Sequence, residues 1–333
     1  MNFFLNIFKF LPPEYAHSIS LNSLNFLYKL KLLSLFQIKK DDEVEFNLCG
    51  MNFKNKLGTA AGLDKNGDYI DALGELGFGF LEVGTVTPLP QSGNSKPRVF
   101  RNYQDNAIIN RLGFNNKGID YLLKNLKKRK YKGVVGVNIG ANKTSKDDQR
   151  INDYLLCFEK IHEYADYITI NISSPNTPDL RDLHNKENLK NLISSVENKS
   201  IEINFQKPIF LKISPDESDE SIKMIIELVE NSSFSGLVAT NTTVNKDSIT
   251  NEKLRNEEGG LSGQPLMEKS TNKISFIRSN TDMPIIGVGG VMSKNDFHTK
   301  IEAGANLVQI YTGFIYQGPS IVNRICKKIL QDI

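Results

Sequence analysis

The chain has 333 residues, of which 39% are hydrophobic and 24% charged, so it can bury a large globular core. Its net charge of +3 is too small to indicate nucleic-acid binding, and the motifs of RNA and DNA readers are absent from the sequence. Cys49, Cys157 and Cys326 lie far apart, so we expect reduced core thiols in a cytosol-facing protein. The four histidines lack metal-ligand spacing, so we expect no metal ion.

Residues 1–40 are expected to form two amphipathic helices separated by Pro12-Pro13. The apolar residues of the two helices are Phe3, Phe4, Ile7, Phe8 and Leu11, then Leu21, Leu24, Leu27, Leu30 and Leu33. No apolar run reaches the ~20 residues that span a bilayer, and neither a signal peptide nor a transit peptide is indicated. The segment is therefore either a helical hairpin packed on the main domain or a pair of helices lying in a membrane interface. Its aromatic density favours the membrane.

The remainder, residues 41–333, is expected to form one domain with a regular alternation of strands and helices. A polar linker at 39–43 leads into a short hairpin of strands 44–48 and 51–54. Eight further strands are predicted at 57–63, 80–87, 134–140, 167–173, 209–214, 237–242, 284–289 and 307–312. This is the count of an α/β (β/α)₈ TIM barrel with a small N-terminal helical extension. The insertion at 88–117 is long enough to cover part of the barrel mouth.

The active site of such a barrel lies at the C-terminal ends of its strands. Here those ends carry amides, hydroxyls and two lysines, Lys65 and Lys212, with Asp64 as the only acid. An interior lysine is costly unless it faces an anion, so the lysines predict an anionic ligand. The Gly-Val-Gly-Gly run at 287–290 and the turn after the last strand predict a phosphate cradle. Flavin mononucleotide (FMN) fits both the phosphate and the amide-rich site, whereas a sugar phosphate fits only the phosphate.

Several longer strings identify a family that the chain resembles. They are Ala-Ala-Gly-Leu-Asp-Lys at 60–65, Gly-Thr-Val-Thr-Pro at 84–88, Lys-Pro-Arg-Val-Phe-Arg at 96–101, Asn-Arg-Leu-Gly-Phe-Asn-Asn at 110–116, Asn-Ile-Ser-Ser-Pro-Asn-Thr at 171–177, Gly-Gly-Leu-Ser-Gly at 259–263 and Gly-Val-Gly-Gly at 287–290. With these motifs the chain resembles the class 2, quinone-dependent dihydroorotate dehydrogenases. The resemblance implies an FMN barrel that oxidises dihydroorotate to orotate in pyrimidine biosynthesis and reduces a membrane quinone.

The resemblance also implies roles for individual residues. The residues that would contact FMN are Ala61, Gly62, Leu63, Asp64, Lys65, Thr85, Asn138, Asn171, Lys212, Thr240, Gly263, Gly290, Tyr311 and Thr312. The residues that would hold the substrate's carboxylate and pyrimidine edge are Lys65, Asn110, Arg111, Leu112, Gly113, Phe114, Asn171, Asn176, Asn241 and Thr242. Amides suit that ring because each supplies both a donor and an acceptor.

By the same resemblance, Ser174 is the catalytic base that removes the substrate's C5 proton while a hydride leaves C6. A serine hydroxyl is a weak base at neutral pH, so its proton needs a relay, which the family implies through Thr177 beside Phe114. Class 1 enzymes carry cysteine at this position and lack the N-terminal extension, so both features favour class 2. Lys212 would stabilise the reduced flavin.

The extension would form a quinone tunnel, with His17, Arg101 and Tyr311 at tunnel positions. The resemblance therefore implies a monomer bound peripherally to the cytoplasmic side of the cell inner membrane, with no nucleic-acid partner. One departure from the family pattern is Pro-Asp at 178–179, in the expected active-site lid. The alternative is a soluble fumarate- or NAD-linked dihydroorotate dehydrogenase or another FMN barrel oxidoreductase.

Overall fold

A computed structural model describes residues 10–33, 45–177 and 180–327. Most of the first predicted helix, the linker at 39–43 and the Pro-Asp pair at 178–179 lie outside the described residues. The strands are β1 (Phe46–Leu48), β2 (Met51–Phe53), β3 (Leu57–Thr59), β4 (Phe80–Val86), β5 (Val99–Asn102), β6 (Ala107–Asn110), β7 (Val134–Ile139), β8 (Tyr167–Asn171), β9 (Ile209–Ile213), β10 (Gly236–Ala239), β11 (Gly260–Gly263), β12 (Ile285–Val288) and β13 (Leu307–Ile310).

The α-helices of the described residues lie largely between these strands. They are α1 (Pro13–Lys29), α2 (Ile70–Glu75), α3 (Ile119–Lys128), α4 (Asp147–Ile161), α5 (Lys186–Glu202), α6 (Asp219–Glu230), α7 (Glu252–Arg255), α8 (Met267–Arg278), α9 (Lys294–Glu302), α10 (Thr312–Gln317) and α11 (Ser320–Cys326). Short 3₁₀ turns follow β8 at Leu180–His184 and β11 at Gln264–Leu266.

The predicted (β/α)₈ barrel is confirmed. Eight parallel strands close in the order β3, β4, β7, β8, β9, β10, β12 and β13. These are the eight strands predicted from the sequence, each ending one to four residues earlier than expected. Every residue of β4, β7, β8 and β9 is buried. These strands are mostly apolar because both faces of a parallel barrel strand are covered, one by the barrel interior and one by the helices.

Aromatic side chains fill the N-terminal end of the barrel. Phe53 of β2 meets Phe80 edge-on at 5.5 Å between ring centroids, and Tyr167 meets Phe210 in the same way at 5.6 Å. The predicted hairpin, β1 with β2, therefore caps this end. Because these aromatic side chains fill the N-terminal end of the barrel, the space available to a ligand lies at the opposite, C-terminal end.

A second sheet at the barrel mouth was not predicted. β5, β6 and β11 form a three-stranded antiparallel sheet in the order β11, β6, β5. The first two strands lie within the insertion at 88–117, whereas β11 comes about 150 residues later and pairs Leu261 with Ile109. A small apolar cluster that includes both residues stabilises the sheet. The insertion is thus an ordered sheet.

Helix α1 packs on the barrel along one face and exposes apolar residues on the other. Leu21 and Leu24 are buried in the main core, and Tyr69 donates a hydrogen bond to Asn22 at 2.9 Å. Near the start of the helix, Glu14 accepts two hydrogen bonds from the guanidinium of Arg98, which is 6% exposed. The second predicted helix therefore packs on the main domain, while most of the first predicted helix lies outside the described residues.

The cysteines do not all lie in the core. Cys157 is buried in α4, but Cys49 is exposed at the turn between β1 and β2, so its assignment to the core was wrong. Cys49 has a φ of 51° and lies in a turn between two short strands at the edge of the protein, where its side chain is exposed. No helix in the described part of the chain is both long and apolar enough to cross a membrane.

Candidate active site

A cavity open to solvent lies at the C-terminal ends of the barrel strands, and its empty space, counted together with the adjoining solvent, is about 990 Å³. It gathers most of the residues predicted for the site. Those at its wall are Ala61, Gly62, Lys65, Thr85, Asn110, Leu112, Gly113, Phe114, Asn171, Ser174, Asn176, Lys212, Thr240, Asn241, Thr242, Gly263, Gly290, Tyr311 and Thr312. Residues far apart in the sequence therefore converge because parallel strands present their carboxyl ends at one mouth.

Four residues predicted to contact a ligand do not line this cavity. Leu63 lies in the apolar core, and Asn138 lies beneath the wall. Asp64 accepts hydrogen bonds from the backbone N–H groups of residues 68 and 69, and burial raises the pKa of its carboxyl to about 7. Arg111 turns away to form a 2.8 Å ion pair with Glu257. The side chains of Asp64 and Arg111 therefore brace loops in this structure.

Three buried side chains form a hydrogen-bonded shelf under the cavity. Thr85 Oγ1 donates to Asn138 Oδ1 at 2.6 Å, and Asn171 Nδ2 donates to both of these oxygens at 3.0 and 3.1 Å. Asn241 Nδ2 lies 3.4 Å from Asn171 Oδ1 and donates to Ser173 Oγ at 3.0 Å. Since these amides bond to one another, their orientations are fixed before a ligand arrives.

The loop after β8 brings a serine and two amides together. Ser174 is 5% exposed, and its Oγ accepts a 3.3 Å hydrogen bond from the backbone N–H of Asn176. Asn176 Nδ2 donates to Asn110 Oδ1, on β6, at 3.3 Å. Thr177 is buried just beyond the wall, and its hydroxyl has no hydrogen-bond partner within the described residues. The loop thus offers one hydroxyl to the cavity and a second, unpaired hydroxyl three residues later.

Two lysines give the cavity its positive charge. Burial lowers the pKa of Lys65 to about 8, assisted by the positive charge of Arg98. Burial also lowers the pKa of Lys212, which the negative charge of Glu82 partly restores. Neither ammonium group has a hydrogen-bond acceptor among the described residues. Buried cations without partners are costly, so the cavity is built for a ligand that carries negative charge.

A buried carboxylate below the cavity was missed in the sequence. Glu82, in the middle of β4, accepts hydrogen bonds from Asn138, Tyr167, Thr169 and Gln309 at 2.8 to 3.1 Å. Gln309 also lines the cavity, and its Oε1 is buried without a partner among the described residues. A glutamate and a glutamine in otherwise apolar strands were the signal that could have found this pair.

Glycine forms part of the wall opposite the amide shelf. Gly289 and Gly290 have φ angles of 122° and 82°, and a Cβ on Gly290 would lie 2.3 Å from Met267 Cα. Only glycine fits there, so the backbone itself faces the ligand space. Thr312 begins α10 at the same wall and donates to Ser262 Oγ at 2.9 Å. Backbone N–H groups near a helix start favour a phosphate group.

The three predicted tunnel residues lie around the start of α1. Burial, together with the positive charge of Lys65, lowers the pKa of His17 to about 4, so this imidazole is neutral at physiological pH. Arg101 donates to the carbonyl oxygen of Leu11, just before the helix. Tyr311 lines the cavity, and burial raises the pKa of its phenol to about 12. The helix therefore adjoins the end of the cavity that Lys65 and Tyr311 form.

These features define a (β/α)₈-barrel protein whose mouth holds a polar cavity with two buried lysines. The family model for dihydroorotate dehydrogenase matches residues 43–333. A Saccharophagus degradans protein named dihydroorotate dehydrogenase (quinone) is 46% identical over 318 residues, 94% of each chain. One of the same name from Buchnera aphidicola subsp. Schizaphis graminum is 49% identical over 325 residues, 96% of each chain.

Solved structures agree with these matches. A crystal structure of DHODH from Eimeria tenella in complex with ferulenol has a TM-score of 0.84 and 34% identity, and covers 94% of this chain and 89% of that one. A ligand-free form has a TM-score of 0.80. The chain belongs to the dihydroorotate dehydrogenase family. It is therefore an oxidoreductase of a flavin-dependent family.

Proposed function

We propose that the chain oxidises (S)-dihydroorotate to orotate in de novo pyrimidine (UMP) biosynthesis, with FMN as hydride acceptor and a membrane quinone as final electron acceptor. The observation that carries the proposal is the meeting of the Ser174 hydroxyl, the amide shelf and two unpaired lysines in one cavity. The names of its relatives support the choice of substrate and quinone.

FMN fits the residues present. Its phosphate suits the backbone wall at Gly290 and Thr312, and its polar ring system suits the fixed amides of Asn171 and the cation of Lys212. When bound, FMN supplies the hydride acceptor for the reaction. A neutral ligand would leave the positive charges of Lys65 and Lys212 buried without a negative charge nearby. FMN carries a phosphate ester and dihydroorotate carries a carboxylate, so both molecules match the positive charge of the cavity.

The chain's own residues would bind and orient the substrate. Lys65 would face the substrate's carboxylate, and Asn110 with Asn176 would hydrogen-bond its ring. Ser174 would take the proton from C5, and Thr177 would pass it on, because its buried hydroxyl has no partner within the described residues.

The purified protein should be yellow and contain close to one FMN per chain. Dihydroorotate should bleach the flavin absorbance, and a soluble quinone analogue should restore it faster than fumarate or NAD⁺. Stopped-flow absorbance under anaerobic conditions measures both half-reactions. Fast reoxidation by fumarate or NAD⁺ with none by quinone would instead indicate the soluble class, and a colourless protein would contradict the flavin site.

We further propose that α1 lies in a membrane interface on the cytoplasmic side of the cell inner membrane, and that the protein is a monomer. Tyr15, Ile19, Phe26 and Leu30 follow helical spacing along or just beyond α1, and each is at least 42% exposed. The opposite face holds the buried Leu21 and Leu24. A helix with one face in the core and an apolar face outside can dock a barrel on lipid without crossing it.

Replacing Ile19 and Phe26 by serine should lower binding to anionic phospholipid vesicles by about tenfold or more, since each buried apolar side chain contributes about 1.5–3 kcal/mol. Vesicle co-sedimentation measures the effect. Ile201→Ser is the matched control, because Ile201 is 79% exposed on α5, away from α1. Equal losses in the control and the double variant would contradict membrane docking through α1.

A further inference from the structure

One carboxylate outside the cavity connects four segments of the barrel mouth. Asp216, just after β9, accepts hydrogen bonds from Arg181 Nη1 at 3.1 Å, Thr243 Oγ1 at 2.5 Å and the backbone N–H of Val244 at 2.9 Å. It also accepts one from the ammonium group of Lys269 on α8. These partners come from the loops after β8 and β10 and from α8, so one side chain joins segments that the sequence separates widely.

Arg181 extends this connection to the backbone beside the cavity. Its Nε lies 3.4 Å from the carbonyl oxygen of Ser173, and its Nη2 lies 3.3 Å from the carbonyl oxygen of Thr242. Ser173 immediately precedes Ser174, and Thr242 also lines the cavity. The planar guanidinium therefore sets the spacing between the two loops that carry Ser174 and Thr242.

The charges of the cluster favour this arrangement. Although burial opposes ionisation, hydrogen bonds from Lys269 and Thr243 lower the pKa of Asp216 below its ordinary value. The Asp216 side chain is 14% exposed and meets two cations, so it remains an anion across the neutral range. Charge-assisted hydrogen bonds of this kind are the stronger ones, and here they hold Arg181 in one orientation.

We propose that Asp216 and Arg181 are positioning residues that hold the Ser174 loop against the Asn241–Thr242 loop at the distance the reaction needs. Neither residue lines the cavity, so neither contacts the substrate. Their effect passes through two backbone carbonyl groups. A displacement of about 1 Å in a catalytic group can lower a rate by about 10²-fold, which makes the spacing of these loops decisive. The proposal rests on the proposed function for its kinetic consequence but not for its structural one.

The first experiment is hydrogen exchange on the protein as purified. Arg181→Met removes the bridge yet leaves Asp216 bonded to Lys269 and Thr243, so the variant keeps most of the cluster. The backbone N–H groups of residues 173, 174, 176 and 177 and of residues 241–243 should exchange faster than in the wild type. Asp219→Asn is the matched control, because Asp219 forms an exposed ion pair with Lys273 at the start of α6. Unchanged exchange in Arg181→Met would overturn the proposal whatever the protein's substrate.

The second experiment is a double-mutant cycle on flavin reduction by dihydroorotate. Arg181→Met and Asp216→Asn should each lower the reduction rate constant by about 10- to 100-fold at unchanged FMN content. The double variant should lose no more than the larger single loss, because both residues act through one bridge. Losses that multiply, or a wild-type rate in Arg181→Met, would overturn the proposal. A wild-type protein that dihydroorotate fails to reduce would contradict the proposed function instead, and the exchange result would still decide the positioning role.

Discussion

Ser174→Ala should lower the rate constant for flavin reduction by dihydroorotate by about 10³-fold at neutral pH, since a positioned general base contributes about 10²–10⁴. Ser174 Oγ is nearly buried at the cavity wall, and the backbone N–H of Asn176 donates to it at 3.3 Å. That hydrogen bond holds the hydroxyl oxygen at the cavity wall. Removing one hydroxyl leaves the lysines and the amide shelf in place, so FMN content should stay at the wild-type level.

Stopped-flow reduction of the purified variant, with FMN content measured by absorbance, gives this result directly. Ser200→Ala is a suitable control, because Ser200 is also a buried serine and donates to the carbonyl oxygen of Phe205, in the stretch between α5 and β9. It tests the general cost of losing a buried hydroxyl, which is about 1 kcal/mol. Undiminished flavin reduction in Ser174→Ala would remove this residue from the proton transfer.

The proton that Ser174 would accept in the proposed reaction needs a route away from its oxygen, because the side chain is only 5% exposed. No histidine lies near it in the sequence, and Thr177 offers a buried hydroxyl without a partner among the described residues. An unsatisfied buried hydroxyl costs about 1–3 kcal/mol, so its retention is best explained by a partner that arrives with water or substrate. This is why the relay through Thr177 remains part of the proposed function.

The barrel and the residues at its mouth could be predicted because both depend on short, continuous segments of the sequence. A buried parallel strand is a short apolar run, and its last residues lie at the mouth whichever strand it pairs with. Lys212 and Asn171 were therefore placed correctly at the cavity before any pairing was known. The eight strands were found for the same reason.

What could not be predicted depends on contacts between distant residues. β11 pairs with β6 across 150 residues, and Gln309 donates to Glu82 across 227. In the sequence, Asp216 is an ordinary residue of a Pro-Asp turn. In the structure, its hydrogen bonds connect four segments of the barrel mouth. Local periodicity carries no information about such partners, and only a polar residue inside an apolar strand hints that one exists.

Helix α1 shows how both expectations for the extension can hold in part. Apolar periodicity predicts that a helix face is covered, but it does not say by what. The face with Leu21 is covered by the barrel, whereas the face with Phe26 is not covered by any described residue. Because Glu14 also pairs with Arg98, removal of the whole extension would disturb the barrel as well as the membrane contact. Substitutions on the exposed face separate the two effects.

Orotate affinity should fall as the pH rises above about 8. Burial and the charge of Arg98 lower the pKa of Lys65 from its ordinary value of 10.5 to about 8 in the free protein. A bound carboxylate would raise that pKa again, because it favours the charged ammonium group. Between the two pKa values, binding takes up one proton, so the dissociation constant should rise about tenfold per pH unit. Below pH 8 the Lys65 ammonium group is already protonated in the free protein, so its contribution to orotate affinity is fully present. The affinity should therefore not change with the titration of Lys65 in that range.

Titrations of orotate between pH 6.5 and 9.5, followed by the flavin spectrum, measure this dependence. Lys65→Met should bind orotate more weakly at pH 7 and show no increase in the dissociation constant near pH 8. Lys143→Met is the matched control, because Lys143 is an exposed lysine that donates to Asn94 Oδ1 at 2.8 Å. It should keep the wild-type pH dependence. The same slope above pH 8 in Lys65→Met as in the wild type would assign the titration to another group and separate Lys65 from the substrate's carboxylate.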